Sequence, residues 1–179
     1  MNSAVATQLT SLVLAKIEEQ INCLYTIVAR LPVEKVDWQP ELPPSIPAPP
    51  RSVRTALGHL LDCLAGFVAV LYAANPDWLE FVNQIDRSMI RPCGITEALE
   101  RIHLFQRYIR DGFQPLTDNQ LGCLLSTVFV PEGEAVLTLL LGNLEHLINH
   151  KHEIFTYAKL LGIPVTTRDL YAFRAPPPH

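Results

Sequence analysis

The stretch ALGHLLDCLAGFVAVLYAA, residues 56–74, decides how the rest of the chain is read. It approaches the roughly 20 apolar residues that a membrane-spanning helix needs. Yet it carries His59 and Asp62 near one end, and the chain has no second apolar span to pair with them. Polar groups on an apolar helix need partners, so the stretch reads as a helix buried on more than one side within a helical bundle. No membrane partner is expected, and part of this helix is free to face a second subunit. Ser52 stands where an N-cap belongs, and Pro76 ends the helix near Ala74.

Working outward, the segment from about residue 4 to 30 has apolar residues at Leu9, Leu12, Ile17, Ile21, Leu24 and Val28. That spacing predicts an amphipathic helix. No positive region precedes its apolar part, so it does not read as a signal peptide. The connection LPVEKVDWQPELPPSIPAPPR, residues 31–51, holds seven of the 15 prolines and cannot continue the helix. A loop over 32–51 is expected to lie across one end of the core, with Trp38 as its anchor. On the other side, residues 75–94 read as an irregular crossing with one helical turn.

Thr96 opens a third helix, ITEALERIHLFQRYIRDGFQPL, with Leu99, Ile102, Phe105, Tyr108 and Ile109 at helical spacing. Residues 116–136 hold β-branched and aromatic residues that predict at most a short extended piece. A last helix runs from about Glu134 to Leu161 and is stopped by Gly162 and Pro164. The tail, residues 165–179, should be extended. Four long helices without alternating strands predict an all-α chain, a four-helix bundle forming one domain over residues 1–179.

Composition narrows the function classes. Hydrophobic residues make up 49% and charged residues 18%, a globular balance. The net charge is -4 with no run of Lys and Arg, so no nucleic-acid partner is expected. Cys23, Cys63, Cys93 and Cys123 form no C-x-x-C pair, which argues against a cysteine zinc site or a disulfide framework. A reducing cytoplasmic setting follows, with each thiol packed as a small apolar group.

The chemistry concentrates in NLEHLINHKHEIFTYAKLLGIPV, residues 143–165. His146 and His150 lie about 40° apart on one helix face, one turn along, and two imidazoles so placed can converge on a cation. His152 is rotated about 200° from His150 and cannot join them on a continuous helix. Leu139, Asn143, His146, His150, Glu153 and Tyr157 share one stripe, a polar seam that is either solvated or satisfied by something. The pair alone is equally the pattern of two polar surface residues.

Catalytic metal sites usually have three protein ligands. His179 lies in the tail. His103 belongs to a single E-x-x-H element with Glu100, whereas a di-iron bundle needs two. His59 remains, with Asp62 three residues on and able to orient its ring by a hydrogen bond, or equally to cap a neighbour or face solvent. A core histidine satisfied by one hydrogen bond explains His59 equally well.

Three ordered stretches carry a resemblance. They are a W-x-P element after the first helix (DWQPELPP), a helix opening S-V-x-x-x-L-x-H-L (SVRTALGHLL), and an H-x-x-x-H pair leading to an L-L-G-I-P ending (HLINHKHEIFTYAKLLGIPV). Together the chain resembles the DinB/YfiT-like superfamily over nearly its whole length. The resemblance implies an up-down-down-up four-helix bundle, a homodimer, and a divalent metal on three histidines. Carried over, these are His59, His146 and His150. Lys151, His152 and Glu153 stand where the family often has Arg-Gly-Gln, and Asn149 where many members have a further histidine.

A metal so held can polarise an oxygen or sulfur ligand. The resemblance implies a metal-dependent enzyme, either a thiol-dependent S-transferase or a hydrolase, acting on a small molecule, with a low-molecular-weight thiol as the partner in the transferase case. Glu153 and Asp62 are the candidates for proton transfer or for supporting the ligands. The other reading is a non-catalytic metal- or small-ligand-binding dimer in a stress-response or accessory role. Nickel or zinc is the expected ion, with iron, copper and manganese also suited to such ligands.

Overall fold

The computed structural model describes residues 8–41, 50–75, 90–127 and 130–172. Among them the chain is mostly helical, as expected of an all-α protein. Helix α1 spans Leu9–Val28 and α2 spans Val53–Ala73. Helix α3 spans Ile95–Phe113, α4 spans Val136–Leu160, and a single turn, α5, spans Thr167–Leu170.

The apolar stripes explain the packing. Helix α2 lies along both α3 and α4, and α1 also packs on α3 and α4. All four long helices contribute to one contiguous core containing Ile17, Leu24, Leu57, Leu64, Phe67, Phe105 and Leu147. Each such side chain contributes roughly 1.5–3 kcal/mol of transfer free energy when removed from water. Helix α2 is long and apolar enough to cross a membrane by length and composition, but 61% of its most apolar window is buried inside the protein. Gly58 permits a close approach there, since a Cβ at that position would sit 2.8 Å from the Pro92 backbone nitrogen.

Several element boundaries differ from the expectations, each for a local reason. In α1 the buried stripe begins at Ile17, while Leu9 and Leu12 are exposed. The N-cap of α3 is Gly94, so Thr96 falls inside its first turn. Helix α4 begins at Val136 because Glu134–Ala135 forms a strand, β2, antiparallel to β1, Leu124–Leu125. Backbone pairing with β1 takes those two residues from the helix. The tail is not wholly extended: Thr166 and Asp169 form a capping box that closes α5. Cys123 is exposed rather than packed, whereas Cys23, Cys63 and Cys93 are buried. Ser52 caps α2 as expected, its hydroxyl accepting from the Thr55 N–H.

The expectations for the middle of the proline-rich loop, the irregular crossing and the end of the tail concern residues 42–49, 76–89 and 173–179, outside the described residues. The loop's two flanks are described. Trp38 is half-buried against the core and its ring packs edge-on to Tyr157 at 5.6 Å, which fits its expected role as an anchor. The Val53 N–H donates to the Trp38 carbonyl at 2.9 Å, tying the start of α2 to the same place.

Candidate metal centre

His59 projects from α2, and His146 and His150 project from successive turns of α4, where those two helices pack together. One ligand atom from each imidazole lies within 4.8 Å of the others. The His59 ring centroid is 4.4 Å from that of His150 and 5.2 Å from that of His146, and the two α4 rings are 4.7 Å apart. All three rings meet edge to face, at 65° to 84°. Three imidazoles converging from two elements form a site that could hold a metal ion. No ring nitrogen of His59 has a protein hydrogen-bond partner among the described residues.

The outer nitrogens of the α4 pair are occupied. His150 Nδ1 donates to Glu153 Oε2 at 2.9 Å, which leaves Nε2 with its lone pair available as a ligand. Cys63 Sγ lies 3.4 Å from His146 Nδ1 and donates to the His59 carbonyl at 3.3 Å. With its proton on that carbonyl, the sulfur accepts from His146 Nδ1–H and again leaves Nε2 free. Burial pushes the Cys63 thiol up to about 12, reinforced by the charge of Asp62, so it stays protonated.

Glu153 is the hub of this end. Beyond His150, its Oε1 accepts from the Tyr157 hydroxyl at 3.0 Å, and Oε2 lies 3.4 Å from Arg51. Both oxygens are therefore engaged, Oε1 by Tyr157 and Oε2 by His150 with Arg51 beyond it. In the polar seam read along α4, His146, His150, Glu153 and Tyr157 each have a hydrogen-bond partner. Asp62 takes the solvent-facing alternative. It is exposed and makes no hydrogen bond to His59 among the described residues, acting on the cluster only through its charge.

Burial holds His59 and His146 below the ordinary histidine range, with the neighbouring His150 as the next cause. Neutral imidazoles are the form that ligates a cation. His152 is exposed on the far side of α4, as its rotation required. His103 is exposed, its ring tilted against Tyr25 at 4.3 Å, away from the cluster.

Two participants escaped the sequence reading. Cys63 passed as a packing residue, although it lies four residues beyond His59 on the same helical face. Lys151 enters that reading only as a departure from the family pattern, but it is 1% exposed. Its ammonium donates to Gln20 on α1 and, at 2.6 Å, to the Leu170 carbonyl at the end of α5. The spacing Leu147, Lys151, Ile154, Ala158 is a core stripe and was the available signal.

A groove of about 660 Å³ lies between α1 and the C-terminal segment, lined by Cys23, Thr26 and Arg168 among others. None of the three clustered histidines lines it, so it is separate from this centre. No protein-family model matches this chain, and no curated protein matches it.

Proposed function

We propose that the chain is a DinB/YfiT-like up-down-down-up bundle that binds one divalent metal on His59, His146 and His150 and works as a metal-dependent enzyme, a thiol-dependent S-transferase or a hydrolase. The observation that carries the reading is the convergence of three imidazoles from α2 and α4, within 4.8 Å, with the outer nitrogens of two of them engaged. The three ordered stretches that resemble the family support the same ligand set. When bound, the metal supplies Lewis acidity toward an oxygen or sulfur ligand.

The chain's own residues supply the rest. Glu153 and Cys63 orient the α4 imidazoles, and Tyr157 braces Glu153 while its hydroxyl also lies 3.0 Å from the Arg51 carbonyl. Trp38 covers Tyr157 and brings the proline-rich connection to the rim of the site. A homodimer and a cytoplasmic location belong to the same reading.

One observation favours a second reading, a non-catalytic metal- or small-ligand-binding protein. Both oxygens of Glu153 are engaged and Asp62 is turned to solvent, so no free carboxylate adjoins the three rings among the described residues.

The deciding experiment is the metal content of untagged protein beside a His146→Ala, His150→Ala double variant. About one equivalent in the wild type and none in the folded variant is expected. A metal-free wild type that also gains no thermal stability from added nickel or zinc overturns the proposal. Given metal binding, turnover of thiol-transfer or ester substrates separates the enzyme from the binding protein.

A further inference from the structure

Arg51 stands at the junction of the proline-rich connection and α2, one residue before the Ser52 cap. Its backbone is held against Tyr157, whose hydroxyl shares its one proton between the Arg51 carbonyl and Glu153 Oε1, each 3.0 Å away. The Arg51 side chain is not. The side chain is 42% exposed, and its one hydrogen bond or ion pair among the described residues is with Glu153 Oε2 at 3.4 Å. That distance is at the outer edge of hydrogen bonding, and the same oxygen already accepts from His150 at 2.9 Å. The other donors of the fork have no protein acceptor among the described residues.

Arg54, one helical turn further on, shows a satisfied guanidinium. It binds Asp37 through two nitrogens, at 2.7 and 3.1 Å. Arg51 has no such partner among the described residues, and its contact with Glu153 Oε2, the oxygen that also binds His150, places its guanidinium beside the cluster. The charge balance points the same way. With a divalent cation on neutral imidazoles, Glu153 and the exposed Asp62 do not offset the metal and Arg51 together, which leaves an excess of positive charge toward solvent.

We propose that Arg51 is a substrate-positioning residue, receiving through its free guanidinium donors an anionic group of the small molecule held at the three histidines. A planar fork of donors matches a carboxylate or a sulfonate, each of which presents two oxygens side by side. The ligand class is therefore a small molecule with a metal-seeking end and an anionic end. This rests on the metal-site reading above.

The test uses nickel-loaded protein and two probes with the same carbon skeleton, mercaptoethanesulfonate and mercaptoethanol. A sulfonate is a poor metal ligand, so the pair differs chiefly in charge. Binding is followed by the thiolate-to-nickel charge-transfer absorption, in wild type, Arg51→Met and Arg51→Lys. Wild type is expected to favour the sulfonate by about 10-fold, the scale of one exposed charge-assisted contact. In Arg51→Met the ratio should fall to near one at unchanged nickel content, and Arg51→Lys should keep part of it.

A ratio near one in the wild type, or one that survives in Arg51→Met, overturns the assignment. So does an equal loss of both probes together with nickel in Arg51→Met, which would make Arg51 only a prop for Glu153. A wild type that takes up no nickel overturns the metal-site reading itself, and the nickel content reports that failure separately.

Discussion

At the scale of single residues, two neighbours on α4 have opposite tasks. His150 faces His59 across the α2–α4 contact, and Lys151, about 100° round the helix, enters the core toward α1. The Lys151 ammonium has three donors. Two find Gln20 Oε1 and the Leu170 carbonyl, and the Tyr171 ring centroid lies 5.7 Å away. Burial pushes its pKa down, which marks the cost of keeping the charge there. Lys151→Met removes that cost but leaves two buried neutral acceptors unpaired. The unpaired acceptors should dominate, at roughly 1–3 kcal/mol each before relaxation. Urea unfolding should therefore show a less stable protein, and a variant as stable as the wild type would refute this account. Glu153 is tested through the metal instead. Removing a carboxylate that orients a ligating imidazole typically weakens metal binding about 10- to 100-fold. Calorimetric titration of Glu153→Ala with nickel or zinc should show a loss on that scale, and Glu153→Gln, which retains an acceptor oxygen for His150, a smaller one.

At the scale of elements, α1 owes its start to a residue more than 100 positions away. Its N-cap residue, Gln8, offers no side-chain cap. The Asp118 carboxylate takes over, accepting from the Leu9 and Thr10 N–H groups at 2.9 Å and from the Thr10 hydroxyl at 3.0 Å. A negative charge at that end also complements the helix dipole. The backbone donors hold the Asp118 carboxyl below its ordinary value of 3.8. A group whose pKa is depressed on folding adds stability above its unfolded pKa and loses it as the pH falls through the folded one. Asp118→Ala should therefore melt below the wild type at neutral pH, and the gap should narrow as the pH drops below about 4. Melting curves of both proteins across that range decide the matter. A gap independent of pH would show that the carboxylate charge is not involved.

At the scale of the whole molecule, the histidines sit where folding pushes three polar rings together at the rim of an apolar core. Binding a metal only in the folded state should stabilise the protein by about 2.7 kcal/mol at 100 times the dissociation constant. The urea midpoint should rise with added nickel or zinc, return on chelation, and stay fixed in the His146→Ala, His150→Ala variant. Equal gains in wild type and variant would place any binding elsewhere.

Much of this architecture is written in local periodicity. Helices α1 to α4 follow from apolar residues recurring every three or four positions, and Ser52 and Gly162 mark ends because their backbone roles are local. The His146–His150 pair and the exclusion of His152 need nothing beyond the turn of a helix. The convergence of His59 on that pair is different, for it depends on how α2 and α4 pack. From residue spacing alone, a ligand and a satisfied core histidine were equal readings, and only the resemblance singled out His59. The contacts of Cys63, Asp118 and Lys151 depend on packing in the same way. What each side chain touches lies on another turn or another element, and a one-dimensional pattern records how a residue faces its own helix, not what waits on the other side. Periodicity therefore determined the helices and one face of the site, and tertiary packing decided which groups complete it.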